Sequence, residues 1–151
     1  EGLAITPDGS TLWVASHQAS RLSLINAATN EITRSIVCPG MPFRMKFSPD
    51  GKTAAISCPG AGAVAFLETA EPTKIEFVDT TTFQGDLIAP QHVPTSLSFS
   101  PDGSRVFAVC NGEEGGIIAI DVKTRKVIAR AKSVGTVADA MVAGRVIHPP
   151  K

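Results

Sequence analysis

The chain has 151 residues, with 14 lysines and arginines against 14 aspartates and glutamates, and it has no tyrosine. That length suffices for one ordinary domain with its own core, and the balanced charge leaves no excess positive field to draw in nucleic acid or an anionic membrane surface. No apolar run approaches the roughly 20 residues of a membrane-spanning helix, while 13 glycines, 11 prolines and an apolar share carried by Ala, Val and Ile point to short strands and tight turns, an all-β fold.

Leu3-Ala4-Ile5 predicts a short first strand, ended by the phrase Ile5-Thr6-Pro7-Asp8-Gly9. In such a turn Pro presets φ, Asp bonds the backbone two residues on, and Gly accepts a positive φ. A second strand follows over 11–16, then a polar loop, then a third strand ending at Asn26. The spacing Asn26-Ala27-Ala28-Thr29 closes a tight hairpin, because the Asx side chain accepts backbone N–H bonds and the Thr hydroxyl supports the other side. A fourth strand fills 31–37. The grammar then restarts at 44–48, with Phe47-Ser48-Pro49-Asp50-Gly51, and again at 97–100, with Phe99-Ser100-Pro101-Asp102-Gly103.

In the middle unit the second strand is expected over 53–58, the third ending at Asp79 in the hairpin Asp79-Thr80-Thr81-Thr82, and the fourth over roughly 84–89. That register puts the unit's surplus length between its second and third strands, within 59–73, as an elaborated rim or a lengthened hairpin. The third unit reads as strands over 97–100 and 105–110, a third ending at Asp121-Val122-Lys123-Thr124, and a fourth over 126–131. The phrase recurs after 42 and then 52 residues, and a period in that range with four strands per unit is the blade of a β-propeller. The expected fold is therefore all-β, a partial β-propeller of four-stranded antiparallel blades: a single domain over 1–151, with blades at about 1–38, 39–90 and 91–134 and the start of a fourth at 135–151. There Gly144-Arg145 stands where Pro-Asp-Gly is expected. Three blades leave open edges, which predict pairing with a partner protein or a second copy.

Loops joining second to third strands, and fourth strands to the next blade, share one face around a propeller's channel. All three cysteines and two of the three histidines fall on those loops. Cys38, Cys58 and Cys110 read as small buried apolar side chains, as one disulfide with a free thiol left over, Cys38 and Cys58 being the better placed pair, or as weak metal candidates together with His17 and His92. His17 and His92 are exposed loop residues, or a general base or ligand if turned toward the channel. Arg44 opens an innermost strand, to anchor an anionic ligand in the channel or to pair with Glu68 or Asp139. Asp8, Asp50 and Asp102 are turn residues on the opposite face, and Glu113-Glu114 is a solvated loop tip or a cation contact. No nucleophile elbow, P-loop or dinucleotide fingerprint occurs.

The run Ala4-Ile5-Thr6-Pro7-Asp8-Gly9, Leu12-Trp13-Val14-Ala15 and Leu24-Ile25-Asn26-Ala27-Ala28-Thr29-Asn30-Glu31-Ile32 resembles the YVTN-type β-propeller repeat of surface-layer and periplasmic proteins, itself similar to that of lactonase-type seven-bladed propellers. The resemblance implies a periplasmic or extracellular location. It implies a binding or assembly scaffold without a cofactor of its own and, for the channel face, a possible small-molecule ligand. Its alternatives are a lactonase-like hydrolase, in which Arg44, His92 and His17 with an acid open a cyclic ester, or the propeller subunit of a complex resembling quinone-dependent amine dehydrogenases, whose cofactor lies on another chain.

Overall fold

In the computed structural model, which describes residues 2–83, 86–87, 93–112 and 115–132, the three repeated phrases are one and the same hydrogen-bonded device. The hydroxyl before each proline donates to the phrase aspartate, Thr6 to Asp8 at 2.5 Å, Ser48 to Asp50 at 2.6 Å and Ser100 to Asp102 at 2.5 Å. The same hydroxyl accepts the backbone N–H that starts the following strand, from Thr11, Thr53 and Arg105, each at 3.0 Å. The aspartate also takes the N–H of Ser10, Lys52 or Ser104, so the turn's donors are all satisfied locally.

Around these turns the chain forms three four-stranded antiparallel sheets. The first contains β1 (Gly2–Ile5), β2 (Thr11–Ser16), β3 (Arg21–Asn26) and β4 (Ile32–Val37). The second contains β5 (Met45–Phe47), β6 (Thr53–Cys58), β7 (Ala63–Glu68) and β8 (Glu76–Asp79). A two-stranded ribbon, β9 (Thr82–Phe83) with β10 (Asp86–Leu87), precedes the third sheet of β11 (Val93–Phe99), β12 (Arg105–Asn111), β13 (Gly116–Asp121) and β14 (Lys126–Lys132). Strand order follows chain order in every sheet, and the innermost strands β1, β5 and β11 lie side by side. These are three blades of a partial β-propeller. The expected fourth-blade start at 135–151 lies outside the described residues.

The middle blade corrects the expected register. Its third strand is β7, ending at Glu68, and Asp79 closes the fourth strand, not the third. Backbone bonds settle the equivalence: Thr69 N–H donates to Lys52 O at 2.8 Å, as Ala27 does to Ser10 and Val122 to Ser104 in the other blades, both at 2.9 Å. Glu68 thus stands where Asn26 and Asp121 stand. Asp79 does form an Asx turn, accepting from Thr81 N–H at 2.8 Å and from the Thr81 and Thr82 hydroxyls, but an Asx turn ends any strand. The connection between β6 and β7 is a single 3₁₀ turn, Pro59–Ala61. The surplus lies instead in 69–75 and after β8, where, among the described residues, β9 and β10 pair only with each other.

Two cores hold the blades together. Trp13, Ala15, Leu22 and Leu24 of the first blade pack against Met45, Ala54, Ile56, Ala65 and Leu67 of the second. Ala55, Val64, Phe66 and Val78 of the second pack against Leu97, Phe99, Val106, Ala108, Ile118 and Ile120 of the third. Every residue of β6 is buried, because the middle blade is covered on both faces. Trp13 meets Phe47 edge-on across the first interface, ring centroids 5.4 Å apart.

The phrase glycines take part in the same packing. Gly9 and Gly51 share a left-handed backbone, φ 73° and 72°, which costs an L side chain about 1–2 kcal/mol. A methyl group at Gly51 would also sit 3.2 Å from the Pro7 ring of the preceding blade, while at Gly9 nothing lies within 4 Å. Gly51→Ala is therefore expected to destabilise the chain more than Gly9→Ala by on the order of 1 kcal/mol in urea unfolding. Equal losses would show that the phrases do not touch between blades.

Candidate functional site

The loop-bearing face is built from the β2–β3 turn (17–20), the β4–β5 connection (38–44), the β6–β7 turn (59–62) and the chain leaving β8. Two of these loops meet directly. Gly60 N–H donates to Gly40 O at 3.1 Å, and Cys38 is pinned by its own N–H to Ser20 O at 2.8 Å. Thr80, fully buried, joins the same face by donating its N–H and hydroxyl to Gly62 O at 2.8 and 2.7 Å.

The three cysteines are all buried and unbridged. Cys38 and Cys58 share the first inter-blade core, with Cys58 Sγ 3.8 Å from Ile56 O. Cys110 belongs to the second core. Burial pushes its thiol up to about 12, against smaller opposing effects from a Thr80 hydrogen bond and the charge of Arg130. A thiol so placed stays protonated at neutral pH and is a poor nucleophile. No group of three or more His, Cys, Asp or Glu side chains is arranged to hold a metal ion among the described residues.

Arg44 has its backbone fixed on Ser57, which donates N–H to Arg44 O at 2.8 Å while its hydroxyl accepts the Arg44 N–H at 3.0 Å. Its guanidinium lies over the Phe43 ring, 4.5 Å from the centroid. The expected Arg44–Glu68 ion pair is replaced by another: Glu68 Oε1 accepts from Arg125 Nη2 at 3.2 Å. The reason is that Glu68 ends a third strand on the turn-bearing face, whereas Arg44 starts a strand from the opposite one. His17 opens the β2–β3 turn, half-buried, its carbonyl accepting Ser20 N–H at 3.3 Å. His92, Asp139 and Glu113-Glu114 lie outside the described residues.

Arg125 is a structural clamp that sequence reading missed. It stands in the β13–β14 turn with φ 55°, its guanidinium lies 4.4 Å from the Phe66 ring centroid, and it contacts Glu68 and Glu76, each at 3.2 Å, as well as the Val122 carbonyl. One side chain thus clamps the third blade to the second. Glu76 is held below the ordinary carboxylate range by hydrogen bonds from Lys74 and then Arg125. The pairing spans 57 and 49 residues of sequence, so no local spacing announces it.

A cleft of about 550 Å³ opens on the turn-bearing face between the first two blades, lined by Thr6, Asp8, Trp13, Asp50 and Thr69. Its two carboxylates are already engaged within their own turns. The phrase acids are thereby structural: Asp102, bonded first by Ser100 and then by Ser104, is held down to about 2, and Asp8 and Asp50 are lowered in the same way.

No family model matches the chain, and no curated protein matches it. Solved structures do. Hydrazine synthase from Kuenenia stuttgartiensis superposes with a TM-score of 0.77 at 25% identity, over 88% of this chain and 37% of that one. The Cps50 (Swd1) β-propeller domain of Myceliophteria thermophila gives 0.72 at 15%, over 92% and 44%. A putative 6-phosphogluconolactonase from Bacteroides uniformis gives 0.63 at 20%, over 87% and 39%. The chain is similar in fold to β-propellers of differing activity and spans less than half the length of each.

Two outcomes follow from the side chains above. Arg125→Met keeps the stem and loses the cation, and is expected to lower stability by about 1–2 kcal/mol in urea unfolding; an unchanged midpoint would remove the clamp. The depressed Asp102 stabilises the fold when ionised, a contribution complete above the ordinary carboxylate range near 4 and lost as pH falls toward its folded value of about 2. Carboxyl-carbon NMR titration should give that low midpoint, and Ser100→Ala should raise it.

Proposed function

We propose that the chain is a non-catalytic binding and assembly scaffold, a run of propeller blades at about 1–38, 39–90 and 91–134 whose ring is completed by blade faces outside the described residues. The observation that carries this reading is the outer face of the first blade. Aligned on the phrase glycine, Leu3 stands with Met45 and Leu97, yet Leu3 is 69% exposed where they are 3% and 1%. Ile5, Ile32 and Val37 project from the same face, since Leu3 pairs with Val14, Ile5 with Leu12, Ile32 with Ile25 and Val37 with Arg21, and all three are more than half exposed. Burying each such side chain is worth roughly 1.5–3 kcal/mol. The partner it fits is a blade face like the one Trp13 and Leu24 present to the second blade, supplied by further blades of the same protein or by a second copy.

The resemblance to YVTN-type and lactonase-type propellers supports a periplasmic or extracellular setting and leaves a small-molecule ligand on the loop face as part of the proposal. The scaffold is favoured over the hydrolase because the described residues converge on blade-to-blade contacts. Sedimentation of the chain across concentrations, alone and as Leu3→Asp/Ile5→Asp, is the test. Self-association abolished by the charged variant, with far-ultraviolet circular dichroism unchanged, is the expected result. A cooperative monomer at every concentration, or lactone hydrolysis lost on Arg44→Ala and His92→Ala, would overturn it.

A further inference from the structure

The tripeptide Cys-Pro-Gly occurs twice, as Cys38-Pro39-Gly40 and Cys58-Pro59-Gly60, and the two copies face each other across the boundary between the first and second blades. Their approach is close. Gly60 N–H bonds Gly40 O at 3.1 Å, a methyl group on Gly40 would fall 2.5 Å from Ala61 Cβ, and one on Gly60 would fall 2.9 Å from Met41 Sδ. Both sulfurs are buried in one apolar cluster at that boundary. Cys38 follows the outermost strand of one blade and Cys58 ends the second strand of the next, so a bond between them would cross the interface.

We propose that Cys38 and Cys58 are a redox pair that closes to an inter-blade disulfide, with low-molecular-weight disulfides as the oxidant and Cys110 as the thiol left free. The Cys38 thiolate attacks one sulfur of the external disulfide, forming a mixed disulfide and expelling a thiolate, which takes up the proton Cys38 gave. Cys58 then loses its proton, attacks the Cys38 sulfur and expels the second thiolate, which takes that proton. Two protein thiols are oxidised and one external disulfide becomes two thiols. The order of attack has a cause. A hydrogen bond from Cys58 holds the Cys38 thiol below the ordinary cysteine range, while the same bond and burial push Cys58 up. Neither sulfur is exposed, so exchange proceeds as the 38–41 loop lifts. Gly40 and Met41, with φ 89° and 60°, hold that loop in a left-handed bend that Met pays for in strain. Closing the 38–58 segment restricts the unfolded chain and raises stability.

The experiment equilibrates the folded chain with oxidised and reduced glutathione at graded ratios, quenches with acid, alkylates in denaturant and maps the peptides. A Cys38–Cys58 cross-linked peptide that grows with the oxidised fraction, with Cys110 alkylated throughout, is expected. The Cys110→Ser variant should keep the cross-link, and the oxidised chain should unfold at higher urea than the reduced one. Recovery of all three cysteines alkylated at every ratio, glutathione on Cys38 with Cys58 still alkylated, or any cross-link through Cys110 would overturn the proposal. The result depends only on the contact between the first two blades and is independent of whether the chain self-associates.

Discussion

A four-stranded blade of this composition has two apolar faces and can cover neither of them alone. The middle blade is the only described one with both faces buried, and it shows what each position requires: Ala54, Ile56 and Leu67 turn toward the first blade while Ala55, Val64 and Phe66 turn toward the third. Small residues dominate β6 because two neighbouring sheets press on it at once. Where a large residue appears on such a face, as Trp13 does, it finds its space against a ring of the next blade, Phe47. The fold is therefore an additive stack in which each interface stabilises two blades, and an unmet face is a site of association by default.

Against that apolar packing the polar chemistry serves mainly to set angles and edges. The hydroxyl, aspartate and N–H relay of each Pro-Asp-Gly phrase fixes how the first strand turns into the second. Its proline then lies beside the glycine of the following phrase, Pro7 at Gly51 and Pro49 at Gly103. The turn and the blade contact are one feature, so the phrase repeats in sequence because it repeats in space. Arg125 does comparable work at the outer edge of the second interface, where the apolar cover thins out.

Architecture was legible in the sequence to the extent that its causes are local. Pro-Asp-Gly turns, alternating strands and the Asn26 and Asp121 hairpins could be placed because each is decided within a few residues, and Asn26 and Asp121 do accept the N–H bonds their spacing implies. The hydroxyl ahead of each proline, Thr6, Ser48 and Ser100, was an equally visible signal whose meaning appears only with the relay in view. Asp79 misled because its Asx turn is real, and a side chain that ends a strand carries no record of which strand it ends. Arg125 and Thr80 were illegible for a different reason: each joins blades or loops brought together by packing, with no periodicity between the partners, whereas the nearness of Cys38 to Cys58 could be placed from the order of the loops.

The repeat also shows where the blade arrangement tolerates added length. Extra residues inside a blade interface would have to be packed, but residues added between β8 and β11 need only satisfy their own backbone, and β9 and β10 do so by pairing with each other. Thr80 fastens the start of that extension to the Gly62 carbonyl beneath the loop face, through both its N–H and its hydroxyl. The addition is thus tied to the blade at its root, by two bonds to one carbonyl oxygen.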